Sequence, residues 1–205
     1  MIWDSKSGEQ LATISGDLYS PKFSSDGNEI VTYNSEHSIT VWNSNTGEKI
    51  NELIGHDDII RSLQFSPDGN RILTASFDKT AKIWDVKSSN DDVIIGEAKF
   101  ASFAPDGDLL MIVYNDNKVS IINSTTGRLL NEFDGHEKLC EPIFSPDSKS
   151  VLITDANNTA NLFDVTTGKE LVNIGGHGGF ITGVNFSTDG EKIITASNDK
   201  VVRIW

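Results

Sequence analysis

The 205-residue sequence contains a single cysteine, Cys140. A lone thiol cannot close a disulfide within its own chain, so nothing in the fold depends on an oxidising compartment, and a cytoplasmic protein is expected. Basic side chains are scarce too: 17 Lys and Arg stand against 30 Asp and Glu, a formal net charge of −13, with no run of five or six like charges. An acidic surface repels phosphate backbones and anionic lipid, which argues against nucleic acid or membrane as the partner. No apolar stretch reaches transmembrane length, and the opening "MIWDSKSGEQLATISGD" lacks the charged segment and apolar core of a leader peptide. The 37% hydrophobic content suffices for one substantial core or two small ones.

Motifs of catalysis are missing as well. There is no "GxSxG" elbow and no P-loop, and "GHGGF" at 176–180 reads as a glycine-relaxed connection. Cys140 follows "HEKL" in a loop-to-strand segment, where a small filler or a surface thiol is expected rather than a nucleophile. "SPDG" and "STDG" lack the alternating carboxylates and closing glutamate of a calcium loop. No catalytic residue, metal or cofactor is expected.

What the sequence does have is self-similarity. An aromatic-led turn recurs as "FSSDG" at Phe23, "FSPDG" at Phe65, "FAPDG" at Phe103, "FSPDS" at Phe144 and "FSTDG" at Phe186, in steps of 42, 38, 41 and 42 residues. A second landmark keeps the same beat: "IWDSKSG" at Trp3, "VWNSNTG" at Trp42, "IWDVKSS" at Trp84, "IINSTTG" at Ile122, "LFDVTTG" at Phe163 and "RIW" ending at Trp205. Such a period is the signature of a repeat architecture.

Within each period the pattern is that of strands. "SLQF" alternates apolar and polar, "RILTAS" and "TAKIW" are short β-prone runs, and "EKINELI" or "RLLNEF" supplies a fourth. Pro67 presets φ for the turn at Asp68-Gly69, and Gly47, Gly127 and Gly168 stand where φ above zero is expected. Each period thus reads as a four-stranded antiparallel sheet with two faces to bury, which requires neighbouring copies to stack face to face around an axis. The fold expected is an all-β propeller, with the Phe of "FSPDG" and the Trp of the third strand in its core.

The glycine-histidine start, the Ser76, Asp78 and Thr80 of "ASFDKT" and the Trp84-Asp85 end resemble the WD-repeat β-propeller family, and "GHGGFITGVNFSTDGEKIITASNDKVVRIW" resembles it again. The resemblance implies a buried hydrogen-bond chain through His56, Ser76, Asp78 and Trp84 in one repeat and His177, Ser197, Asp199 and Trp205 in another. The repeat with Ile122 in place of Trp also lacks the histidine and retains Asp116, so apolar packing is expected there. The one ending at Phe163 keeps His136 with Asp155 and Asn157, and the one ending at Trp42 has Asn34 and Glu36 without a histidine. His37, His56, His136 and His177 fall in different repeats, which disfavours a metal site.

One domain over 1–205 is expected: a partial unit at 1–14, whole repeats at 15–54, 55–95, 96–134 and 135–175, and three strands at 176–205. The landmarks fit part of a larger propeller, or a five-bladed ring in which the strand near "EQLATI" completes the last unit. The resemblance implies a non-catalytic scaffold for proteins or peptides; a five-bladed binder of small molecules or glycans is the alternative. Transferred from the family, the partner-facing positions are Ile59, Arg61 and Phe77 in one repeat and Phe180, Thr182 and Asn198 in another, with Tyr19, Lys99 and Asn115 in equivalent places. Self-association through unpaired terminal sheets is a further expectation.

Overall fold

The computed structural model describes residues 1–88, 91–134 and 141–205; His136 and Cys140 lie outside the described residues. Among the described residues every regular element is a strand, and the strands form six antiparallel sheets, each in sequence order. Sheet 1 is β1 (Ile2–Trp3) and β2 (Gln10–Ala12). Sheet 2 holds β3 (Tyr19–Phe23), β4 (Glu29–Tyr33), β5 (Ile39–Asn43) and β6 (Lys49–Leu53). Sheet 3 holds β7 (Ile60–Phe65), β8 (Arg71–Ser76), β9 (Thr80–Asp85) and β10 (Asp91–Gly96). Sheet 4 follows with β11 (Ala98–Phe103), β12 (Leu109–Tyr114), β13 (Val119–Asn123) and β14 (Leu129–Phe133). Sheet 5 is β15 (Ile143–Phe144), β16 (Ser150–Thr154), β17 (Ala160–Asp164) and β18 (Glu170–Ile174). Three strands make sheet 6: β19 (Ile181–Phe186), β20 (Ile193–Ser197) and β21 (Val202–Ile204).

The chain divides into two compact units, Met1–Ala101 and Ser102–Trp205. In the first, Val31, Ile39, Val41 and Leu53 of sheet 2 pack on Ile60, Leu63, Phe65, Ile72 and Trp84 of sheet 3. In the second, Leu152, Ala160 and Ile174 of sheet 5 meet Ile181 and Ile193 of sheet 6. In both pairs the contact has one direction: the face that sheet 2 turns to sheet 3, and sheet 5 to sheet 6, carries branched side chains suited to a pleated surface.

Turn chemistry accounts for the repeated "FSxD". Ser66 Oγ donates to Asp68 and accepts the Arg71 N–H at 2.9 Å, and Ser24, Ser145 and Ser187 do the same with Asp26, Asp147 and Asp189. The Ser66 hydroxyl, aided by the Asn70 N–H, holds the Asp68 carboxyl down to about 2. In sheet 4 Ala104 takes the serine's place, so that turn lacks the hydroxyl bridge and keeps its backbone bonds and the Asp108 N–H donation to Asp106 Oδ1 at 3.0 Å. Gly47, Gly127 and Gly168 adopt φ of 73°, 67° and 69°, as the turn pattern predicts.

Side chains also stitch sheets together. Asn51, on β6, donates from Nδ2 to the carbonyls of Val86 and Ser88 beyond β9 at 3.0 and 3.1 Å. Asn131, at the same register on β14, donates to the Val165 carbonyl beyond β17.

One expectation about the core requires correction. Phe65, Phe103 and Phe144 are buried, but Phe23 stands exposed. Sheet 1 supplies only two strands, so no second strand lies opposite Phe23 as β4 lies opposite Phe65.

Candidate functional site

The histidine networks lie just beneath the loops that join β8 to β9 and β20 to β21. His56 Nδ1 is 2.7 Å from Asp78 Oδ2, and Nε2 is 2.7 Å from Thr74 Oγ1. Trp84 Nε1 donates to the same Thr74 oxygen at 2.9 Å. The second network repeats this: His177 meets Asp199 at 2.8 Å and Thr195 at 2.7 Å, and Trp205 Nε1 donates to Thr195 at 3.0 Å.

The hydroxyl between histidine and tryptophan is therefore Thr74 or Thr195, where the family resemblance had placed Ser76 and Ser197. Strand geometry supplies the reason. Trp84 pairs with Ile72, so Thr74 is its diagonal neighbour on the same face and Ser76 lies one pleat beyond reach. Ser76 does another job: its hydroxyl donates to the Asp58 carbonyl at 2.8 Å and accepts the Asp78 N–H at 3.1 Å. Ser197 holds Gly179 and Asp199 in the same way.

The sequence carried a signal for these threonines that the repeat landmarks alone did not expose. In the register that puts Thr74 diagonal to Trp84, Thr32 is diagonal to Trp42 and Thr195 to Trp205, while Ile112 and Ile153 stand diagonal to Ile122 and Phe163. Across these five pairs threonine stands beside each indole and isoleucine beside each position without one. Trp42 donates to Thr32 at 2.8 Å without any histidine.

Turns without the full network use other carboxyl or amide groups. Asn34 accepts the N–H groups of Glu36 and Ser38, both at 3.0 Å, and Asp155 accepts those of Asn157 and Thr159 at 2.9 and 3.0 Å. Asp116 accepts the Lys118 N–H at 3.1 Å.

Electrostatics orders the protons. Desolvation pushes the Asp78 carboxyl up, but donation from the Thr80 hydroxyl, His56 and the N–H groups of Thr80 and Asp57 outweighs it and holds the group at about 2. An ionised Asp78 can only accept, so His56 Nδ1 carries the hydrogen, Nε2 accepts from Thr74, and the relay runs Trp84 to Thr74 to His56 to Asp78. Hydroxyl, imidazole and carboxylate stand in the order of a hydrolase triad, yet Thr74 is fully buried and its oxygen is engaged by the indole. The relay offers no reachable nucleophile and acts as a brace.

Burial pushes the His56 imidazole below its ordinary value of 6.5, with Asp78 opposing only in part. The unfolded chain thus binds this proton at a higher pH than the folded one, so stability falls as pH drops through 6.5 towards the folded value; Asp78 adds a second loss from 3.8 towards about 2. Urea midpoints measured from pH 7.5 downward should decline before any carboxylate titrates, and the folded His56 resonance should titrate below that of an unfolded peptide. A His56 midpoint above 6.5 would contradict the assignment.

The two networks differ in cover. Trp84 is 1% exposed and Trp205 41%, so the second chain of hydrogen bonds is less buried than the resemblance implied. The "GH" glycines fit against these rings: a Cβ on Gly55 would approach Trp84 Cη2 to 3.1 Å, and one on Gly176 would approach Trp205 Cη2 to 3.5 Å. Among the described residues no three His, Cys, Asp or Glu side chains gather as metal ligands.

Above the first network sits an exposed patch. Ile60 pairs with Ser76 and Ser62 with Ala75, which leaves Arg61 as the extra residue of a β-bulge. The bulge re-aims its side chain. Arg61 Cζ lies 4.6 Å from the centroid of the Phe77 ring, and both Phe77 and Ile59 are about half exposed. The Phe77 N–H donates to the Ile59 carbonyl at 2.9 Å, which ties the two loops together.

In the second unit the same frame carries different chemistry. Asn198 N–H donates to the Phe180 carbonyl at 2.9 Å, and Thr182 occupies the bulge and donates to the Ala196 carbonyl at 3.3 Å. Phe180 is half-buried, and Asn198 and Thr182 are exposed. Of the equivalent positions, Tyr19 stacks on Tyr33 with centroids 5.7 Å apart, while Lys99 is partly buried and Asn115 exposed.

Residues 47–85 and 168–205 match the family described as WD domain, G-beta repeat. Residues 78–143 match the Anaphase-promoting complex subunit 4 WD40 domain. Each of the two stretches in the first match contains one tryptophan-to-aspartate relay. A comparison with curated proteins finds no match.

Proposed function

The chain belongs to the WD-repeat family, and on that premise we propose that it is a non-catalytic interaction scaffold whose Ile59, Arg61 and Phe77 surface receives a protein or peptide partner. The observation that carries the reading is the guanidinium held over an exposed ring at 4.6 Å. Arginine and aromatic side chains dominate the energetics of interfaces, and a cation already seated on a ring loses little freedom on docking. The brace below keeps the loop rigid: Asp78, next to Phe77, accepts four hydrogen bonds. The match to a WD40 domain of a complex subunit supports the same reading. Phe180, Thr182 and Asn198 are a second, more polar surface of this kind.

Peptides selected from a displayed library against the immobilised chain provide the test. Phe77→Ala and Arg61→Ala should each weaken the selected peptides about tenfold or more, as expected when an anchor is truncated, with the melting temperature unchanged. Phe180→Ala should weaken a distinct set of peptides. Undiminished binding to Phe77→Ala, or a large fall in its melting temperature, would assign the ring to packing instead.

A further inference from the structure

Four of the five aromatic-led turns place a glycine after the aspartate: Asp26-Gly27, Asp68-Gly69, Asp106-Gly107 and Asp189-Gly190. A glycine has no Cβ to shield its nitrogen, which can therefore reach the carboxyl carbon of the residue before it. The four turns share one frame. All four aspartates are exposed, each glycine has φ between 73° and 82°, and each donates its N–H to the carbonyl three residues earlier at 2.9 to 3.0 Å. Each aspartate accepts the N–H two residues later at 3.0 Å.

What differs is how many further donors hold the carboxylate. Asp26 and Asp68 accept two more each, from the Ser24 or Ser66 hydroxyl and from the Asn28 or Asn70 side-chain amide. Asp189 accepts one more, from the Ser187 hydroxyl. Among the described residues Asp106 accepts none, because Ala104 stands where the hydroxyl would be. The serine bond also keeps the acid ionised: it is the main reason that the Asp26 and Asp68 carboxyls are held down to about 2 and that Asp189 lies below its ordinary value. The protonated acid is the form that can release its oxygen as water, so the bond that fixes the carboxyl in place also lowers its reactive fraction.

We propose that Asp106 is a site of self-modification, at which the chain isomerises to isoaspartate, and that the serine hydroxyl protects the other three turns. The Gly107 nitrogen attacks Asp106 Cγ; a C–N bond forms, the Cγ–OH bond breaks, and the proton of the nitrogen leaves with that oxygen as water. Water then opens the ring at either carbonyl, which returns aspartate or routes the main chain through Cγ. The second product lengthens the backbone by one carbon beside the Asp106 N–H, which donates to Ser148 Oγ at 3.1 Å and ties this turn to the one that follows β15.

Incubating the full chain at neutral pH, then mapping its peptides by electron-transfer fragmentation, reads isoaspartate at each site. It should accumulate at Asp106 about tenfold faster than at Asp189, the rate equivalent of one hydrogen bond to a charged group, and more slowly still at Asp26 and Asp68. Ala104→Ser should slow the reaction at Asp106 about tenfold, and Ser66→Ala should speed it at Asp68 by a similar factor. Ser66 and Ala104 are 1% and 0% exposed, so the same buried place accepts either side chain, and far-UV circular dichroism identifies any variant that has lost its sheets. In concentrated urea, where the turns are gone, the four sites should differ far less. Equal accumulation at the four sites of the folded chain overturns the proposal, as does an Asp106 that stays unmodified. So does a folded Ala104→Ser chain that reacts at the wild-type rate, or a folded Ser66→Ala chain with no rise at Asp68.

Discussion

Thr74→Val will destabilise the protein by about 2–4 kcal/mol, since it strips a buried indole N–H of its acceptor and a buried imidazole nitrogen of its donor at about 1–2 kcal/mol each. In a chain of this size that is a fall of roughly 5–15 °C in melting temperature. Thr74→Ser keeps the hydroxyl and should lose about 1 kcal/mol, the cost of one methyl group. The same change at Thr195 should cost less, because Trp205 is partly open and water can replace the lost acceptor. Combining Thr74→Val with Trp84→Phe removes acceptor and donor together. The double variant should therefore lie at least about 1 kcal/mol above the sum of the singles, the sign that coupled neighbours give in a mutant cycle. Strict additivity in urea denaturation would show that Thr74 and Trp84 do not act through each other.

Gly168→Ala is the second large effect. At φ of 69° an alanine is strained by about 1–2 kcal/mol. Its Cβ would also fall 2.8 Å from Asn131 Oδ1, displacing the amide that donates to the Val165 carbonyl. The lost bond adds about 1 kcal/mol, for a total of about 2–3 kcal/mol. Gly127 is the internal control: its φ is 67° but no atom lies within 4 Å of its Cβ position, so Gly127→Ala should show the strain alone. In an Asn131→Ala background the difference between the two glycine variants should disappear. If both substitutions cost the same in the wild-type background, the contact with Asn131 carries no energy.

The period, the strand order and the turns were legible because each rests on local chemistry. "FSPDG" states its own reversal through Ser66, Asp68 and Gly69, and the run "TAKIW" can bury both faces only as a central strand. The relay was half legible. His56, Asp78 and Trp84 announce themselves by type and spacing, but Thr74 is recognised only after the register pairs Ile72 with Trp84, and register is a property of two strands. Aligning the repeats of this one chain against the rule that threonine follows tryptophan would have found it. The surface at Phe77 was legible as position and not as geometry: no spacing says that Arg61 is the extra residue of a bulge, which is what brings it over the ring. The exposure of Phe23 is not legible in its own repeat for a simpler reason. Its type is that of a core residue, and its exposure depends on which strands stand opposite, a fact about its neighbours and not about its own repeat.

Asn51 has one more implication. Its amide belongs to β6, while the two carbonyls it serves lie beyond β9, so the seam between sheets 2 and 3 is closed by backbone groups of one and a side chain of the other. The natural unit of cooperative opening is then the pair of sheets, and the boundary at which the sequence repeats is not the boundary at which the structure comes apart. Cutting or grafting at the repeat boundary would strand the carbonyls of Val86 and Ser88; moving the joint one sheet along would carry the clasp intact.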